Sequence, residues 1–145
     1  MRAVGFKEFG DPEVLEVMDL PEVSAGPGEI RIKNYASAVN PTDIVSRSGL
    51  ISQFRKDFPL PSVPGMDISG IVDQVGEGVE TDISIGDKVM GMVIPNELHG
   101  AYREQITLNQ FAVVKAPEGY SFAESSTLPM NGLTARLSLD LLNLN

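Results

Sequence analysis

The amino-acid sequence predicts a β-rich α+β domain, built as a partly open barrel of short strands with a few short helices between them. Three observations carry this. Fourteen glycines and ten prolines fall between short runs rich in Val, Ile and aromatic residues, a punctuation that favours strands and turns over long helices. The run Glu29-Ile-Arg-Ile-Lys33 alternates strictly, placing Ile30 and Ile32 on one face and charges on the other, as a half-buried strand requires. The 145 residues contain no linker and no internal repeat, which suits one domain able to bury roughly 68–70% of the surface its unfolded chain exposes.

The elements follow in order. Strands are expected over residues 2–6 and 15–18. The turn signal Gly26-Pro-Gly28 then leads into the alternating strand, whose Ile face continues through Ala36 and Ala38. A short helix starts at Asn40-Pro-Thr-Asp43: Asn40 can cap it, Pro41 fits the first turn, Asp43 complements the dipole, and Gly49 supplies the stop. Further strands are expected over 68–75, 88–94, 101–108 and 112–115, separated by Gly76-Glu-Gly78 and Gly86-Asp87. Ser121-Phe-Ala-Glu124 has capping-box spacing, and Pro129 closes that helix. A last helix is expected from Asn131-Gly132, with Leu133, Leu137 and Leu141 forming an apolar stripe that needs a partner surface. Closure or near-closure of so many short strands removes edges that would otherwise invite association.

Composition excludes several functions. The chain has no cysteine, so a thiolate metal site, a disulfide framework, a Cys nucleophile and an iron–sulfur cluster are impossible. With a single histidine, His99, a His-rich metal site or a Ser/His relay is disfavoured. Eleven basic side chains stand against twenty acidic ones, a net charge of −9, and the basic ones form no run; nucleic-acid binding lacks its phosphate-neutralising patch. No stretch of about 18 apolar residues could span a bilayer, and the first ten residues carry charges where a signal peptide would be apolar. The expectation is a soluble, cytoplasmic protein.

Val75-Gly-Glu-Gly-Val-Glu-Thr81 begins like a dinucleotide fingerprint but has Thr81 at the third glycine, and a turn sequence rather than a helix follows. It reads as a tight turn. Asn40 and Asp43 lie where a strand end meets a helix start, a frequent place for functional polar groups. Asp67, at the head of an apolar strand, is either hydrogen-bonded or functional. His99 reads as a solvated loop residue. Tyr35 and Tyr102 are possible proton donors that serve as well for packing.

Taken together, Pro27-Gly-Glu-Ile30, Asn40-Pro-Thr-Asp43, Pro61-Ser-Val-Pro-Gly-Met-Asp-Ile-Ser-Gly-Ile-Val72, Val75-Gly-Glu-Gly-Val79, Gly86-Asp-Lys-Val89, Gly100-Ala-Tyr-Arg-Glu104 and Leu128-Pro-Met-Asn-Gly-Leu-Thr-Ala135 form an ordered set along the whole chain. The chain thereby resembles the N-terminal, GroES-like catalytic domain of the medium-chain dehydrogenase/reductase superfamily, and is most similar to its zinc-independent quinone oxidoreductase branch. The resemblance implies a GroES-like barrel over residues 1–128 and a connecting helix over 129–145, leading toward a Rossmann domain beyond Asn145. On this expectation the 145 residues are a domain fragment, inactive alone.

The zinc-dependent members hold their metal at positions that fall on Asn40, Met66 and near Met130. A carboxamide and two thioethers make no Zn²⁺ site. The resemblance therefore implies reduction of a quinone or conjugated carbonyl by hydride from NADPH, without zinc. It places Asn40 beside the nicotinamide as the first candidate catalytic residue, Thr134 and Asn131 against the cofactor, and Met66, Asp67 and Met130 along the substrate cleft. Val45 and Ile51 stand where many quinone oxidoreductases have tyrosines. The full-length protein is expected to be a homodimer. The alternatives are an enoyl-thioester or 2-alkenal reductase of the same family, and a stand-alone GroES-like binding module without chemistry.

Overall fold

The computed structural model describes residues 1–96 and 98–144. Asn145, at which the sequence reading ends the last helix and expects a further domain to begin, lies outside the described residues, as does Glu97 of the His99 loop.

Among the described residues seven strands are formed: β1 (Arg2–Gly5), β2 (Glu16–Asp19), β3 (Glu29–Ala36), β4 (Asp67–Val75), β5 (Lys88–Met92), β6 (Gln105–Asn109) and β7 (Val113–Lys115). The last five make an antiparallel sheet in the order β6-β3-β4-β5-β7, while β1 and β2 form a separate antiparallel pair. Three helices accompany them: α1 (Pro41–Arg47), α2 (Phe122–Ser126) and α3 (Pro129–Leu141). The fold is the expected β-rich, partly open barrel.

Alternation builds the core. Ile30 and Ile32 on β3, Ile68 and Val72 on β4, Val89 on β5, and Ile106 and Leu108 on β6 all turn inward and are buried. Each fully buried aliphatic side chain stabilises the fold by about 1.5–3 kcal/mol. Two register shifts between β3 and β4, at Arg31/Ile32 and Asn34/Ala36, bend the pair; extra residues of this kind raise the local twist that wraps a sheet toward a barrel. The β1–β2 pair is attached through bridges from Ala3 to Arg103 and from Phe6 to Ser62. Phe6 is fully buried, with Phe9 and Phe58 around it at 6.3 Å between ring centroids in each case.

Most strand ends shift by one or two residues from the expected bounds, and two boundaries near the site differ for identifiable reasons. The strand expected over 101–108 begins only at Gln105, because the preceding amides serve other partners: Ala101 donates to the Gly65 carbonyl, Tyr102 to Pro64 and Glu104 to Arg2. The last helix starts at Pro129 rather than near Asn131, for a reason that lies in the site below. The first helix keeps its expected ends, with Gly49 at φ 83° after its last turn. The Gly76-Glu-Gly78 segment is a turn against the start of β3, with Gly76 donating to Glu29 and Gly28 to Glu77. His99 is half-buried rather than solvated, its loop drawn in by backbone bonding to Asn96. Among the described residues, no helix is long and apolar enough to cross a membrane.

Candidate functional site

α1 begins where β3 has ended, and its start is fixed by Asp43, whose Oδ2 accepts the Asn40 backbone N–H at 2.8 Å. Asn40 stands at the N-cap position of this helix, as the sequence predicts. Its side-chain nitrogen also reaches across the fold and donates to Asp67 Oδ2 at 2.7 Å. Asp67 heads β4 and is fully buried. Its other oxygen, Oδ1, accepts the backbone N–H of Met130 at 2.7 Å.

One carboxylate thus joins the head of α1 to the first turn of α3. It also explains where α3 starts. Leu128, at the N-cap position, makes no side-chain cap, so an amide that would be orphaned at the helix start finds a long-range acceptor in Asp67. The negative charge sits at the positive end of the helix dipole. Burial of a carboxylate is tolerated because two N–H donors face it.

The expected site residues fall into three groups. Asn40 and Met130 meet on Asp67, and Met66 precedes Asp67 in the chain, its carbonyl accepting the Val93 N–H at 2.7 Å. Thr134 and Asn131 are exposed on the first turns of α3. The Thr134 hydroxyl lies 3.7 Å from the Met130 sulfur, and the Asn131 amide nitrogen donates to the Thr127 carbonyl at 2.9 Å. Val45 and Ile51 are half-buried, the first on α1 and the second in the single 3₁₀ turn Leu50–Gln53 that follows it.

Sequence reasoning missed the network behind Asn40. Asp43 is buried, and beyond the Asn40 amide it accepts the Gly65 N–H on Oδ1 at 2.8 Å and the Tyr102 hydroxyl on Oδ2 at 3.2 Å. Burial and the adjacent carboxylate charges push the Tyr102 hydroxyl well above its ordinary pKa of 10.0, so it is a poor acid. Tyr35 is stacked on Phe122 with centroids 4.7 Å apart and is half exposed. Only the glycine between Pro64 and Met66 hinted at such a close approach in the sequence.

At the Asn40–Asp67–Met130 corner Asn40 and Asp67 are buried and Met130 is half-buried. An open groove of about 440 Å³ lies elsewhere, between the β1–β2 pair and the end of β3, with Val17, Tyr35, Ser37 and Tyr102 among its walls.

The sequence profile described as "Alcohol dehydrogenase GroES-like domain" matches residues 26–134. The chain belongs to this family. Within it, the chain falls in the quinone oxidoreductase-like branch of the medium-chain dehydrogenase/reductase superfamily. It is 33% identical over 141 residues to a quinone oxidoreductase of Pseudomonas aeruginosa, covering 95% of this chain and 40% of the relative. It is 31% identical to the 2-methylene-furan-3-one reductase of Solanum lycopersicum, covering 97% of this chain and 37% of that protein. The Escherichia coli quinone oxidoreductase solved in complex with NADPH superposes with a TM-score of 0.80 at 29% identity, over 96% of this chain and 40% of that one. The chain spans about two fifths of the length of these relatives.

Proposed function

We propose that this GroES-like domain is the substrate domain of a zinc-independent, NADPH-dependent oxidoreductase that reduces quinones or conjugated carbonyls by hydride transfer. The observation that carries the reading is the chemistry of the Asn40–Asp67–Met130 corner. Three elements converge on Asp67, and at the positions where the resemblance puts the ligands of metal-dependent relatives this chain has a carboxamide and methionines instead of thiolate or imidazole. A substrate whose own conjugation spreads the arriving charge needs no metal to polarise it. The similarity to quinone oxidoreductases, one of them solved with NADPH, supports the same class.

The residues on the first turns of α3 fit a nicotinamide. Thr134 offers an exposed hydroxyl, and Asn131 is exposed with its side-chain nitrogen donating to the Thr127 carbonyl. The cofactor, when bound, supplies the hydride. This chain's part is positional: Thr134 and Asn131 hold the nicotinamide edge, Asn40 is oriented beside it by Asp67, and Met66, Met130, Val45 and Ile51 shape an apolar wall against water.

On this reading residues 1–128 form the substrate domain and 129–145 the connection to a nucleotide-binding domain, in a cytoplasmic homodimer. The similarity to 2-methylene-furan-3-one reductase favours a second reading, an enone or 2-alkenal reductase on the same site.

The test is NADPH oxidation by the two-domain protein with a naphthoquinone and, separately, a 2-alkenal. Turnover is expected, with the quinone favoured, and Asn40→Ala is expected to lower it. The 145-residue chain is expected to be inactive with both. Quinone turnover by this chain alone, or activity untouched by Asn40→Ala, overturns the assignment.

A further inference from the structure

We propose that Tyr102 is a positioning residue: its hydroxyl holds the Asp43 carboxylate that sets the head of α1 and the approach to β4, and so fixes Asn40 against Asp67. The inference rests on the reading that Asn40 lines the hydride-transfer cleft.

The geometry is a three-way knot. Asp43 Oδ2 receives both the Tyr102 hydroxyl at 3.2 Å and the Asn40 backbone N–H at 2.8 Å, while Oδ1 receives the Gly65 N–H at 2.8 Å. Tyr102 grips the same glycine in two further ways. Its backbone N–H bonds the carbonyl of Pro64, and its ring covers Gly65 so closely that a Cβ there would stand 2.6 Å from the Tyr102 Cδ1 atom. Gly65 at φ 102° leads directly into Met66 and Asp67. Tyr102 therefore touches both arms that meet at the Asn40–Asp67 bond of 2.7 Å, one through Asp43 and one through Gly65. A hydroxyl aimed at a buried carboxylate keeps its proton, which assigns Tyr102 to holding rather than to acid catalysis. Displacing a positioned group by even an ångström lowers reaction rates steeply.

Tyr102→Phe keeps the ring on Gly65 and removes only the hydroxyl. In this chain, hydrogen exchange at the Asn40 backbone amide is expected to speed up roughly tenfold, the size of one hydrogen bond to a charged group, with the Ile68 amide of the core unchanged. In the two-domain reductase the same substitution is expected to lower kcat several-fold with little change in KM, and to have no further effect in an Asn40→Ala background. Unchanged exchange at Asn40, exchange that rises equally at Ile68, or additive losses in the double variant overturn the proposal. If Asn40→Ala alone leaves kcat intact, the functional reading fails first and the catalytic part of this proposal falls with it. If Asn40→Ala is impaired and Tyr102→Phe is not, only the positioning role fails.

Discussion

Asp67 Oδ1 accepts the Met130 backbone N–H at 2.7 Å across a sequence separation of 63 residues, so the cap of the last helix is supplied by a strand in the middle of the chain. Local capping rules look a few residues either way and cannot anticipate it.

The bond makes Asp67 structural as well as site-forming. In Asp67→Asn, one oxygen is replaced by an NH₂ that faces a donor, either Asn40 Nδ2 or the Met130 N–H. A loss of about 2–3 kcal/mol is expected, read as a lower urea midpoint, with Asp67→Ala losing more because both donors are then unpaired. Urea midpoints equal to the parent for both variants would show that the buried carboxylate contributes nothing net.

Gly65→Ala tests the crowding under Tyr102. The residue sits at φ 102° and has no room for a Cβ beside the Tyr102 ring and Ala101. Backbone strain and overpacking together are expected to destabilise the domain by about 2–4 kcal/mol, measured by thermal melting. A melt unchanged within error would mean that the segment rebuilds freely.

The pH dependence has two steps. Burial first, and the Arg103 charge second, hold the His99 imidazolium below its ordinary 6.5, with Glu29 opposing. The unfolded chain therefore takes up a proton before the folded one does. Stability is full above about pH 6.5, falls as pH drops through the window below that value, and stays reduced once the folded state is protonated too. His99→Gln is expected to flatten the curve between pH 7 and 5. The carboxyls of Glu104 beside Arg2, Glu124 beside Ser121 and Asp87 at the Ser84 N–H are held low, so their contribution is present above about pH 4.5 and is lost on further acidification. That step should survive His99→Gln.

Leu137 is 53% exposed on α3. Leu137→Glu in this chain is expected to change the unfolding free energy by no more than about 0.5 kcal/mol, whereas on the proposed reading, in which a second domain covers this face, the two-domain protein is expected to lose stability. Equal effects in both would place no contact on this stripe.

Much of the fold was legible because β3 and β6 obey one rule: Ile30 and Ile32, two apart, fall on the buried face, and the same period recurs at Ile106 and Leu108. The helix at Asn40 was legible from Pro41 and Gly49. The start of β6 was not, since what shortens it is bonding of residues 101–104 to Pro64, Gly65 and Arg2, pairings with no local signature. The motif resemblance assigned Asn40, Asp67 and Met130 to one cleft without any contact between them, and in the structure Asn40 and Met130 each bond Asp67. The Asp43–Gly65–Tyr102 knot stayed hidden because it joins positions 43, 65 and 102, and nothing short of the folded chain brings them within 3.2 Å.

α3 has the mechanics of a cantilever. Its clamp is at Pro129 and Met130, which are half-buried, while every described residue from Asn131 onward is exposed. A helix of 13 residues is marginal in water without packing, so its free end should fray while the sheet remains intact, and order should decay with distance from the clamp. Heating the domain would then melt it from the tip inward, with the Met130 amide the last of the helix to let go.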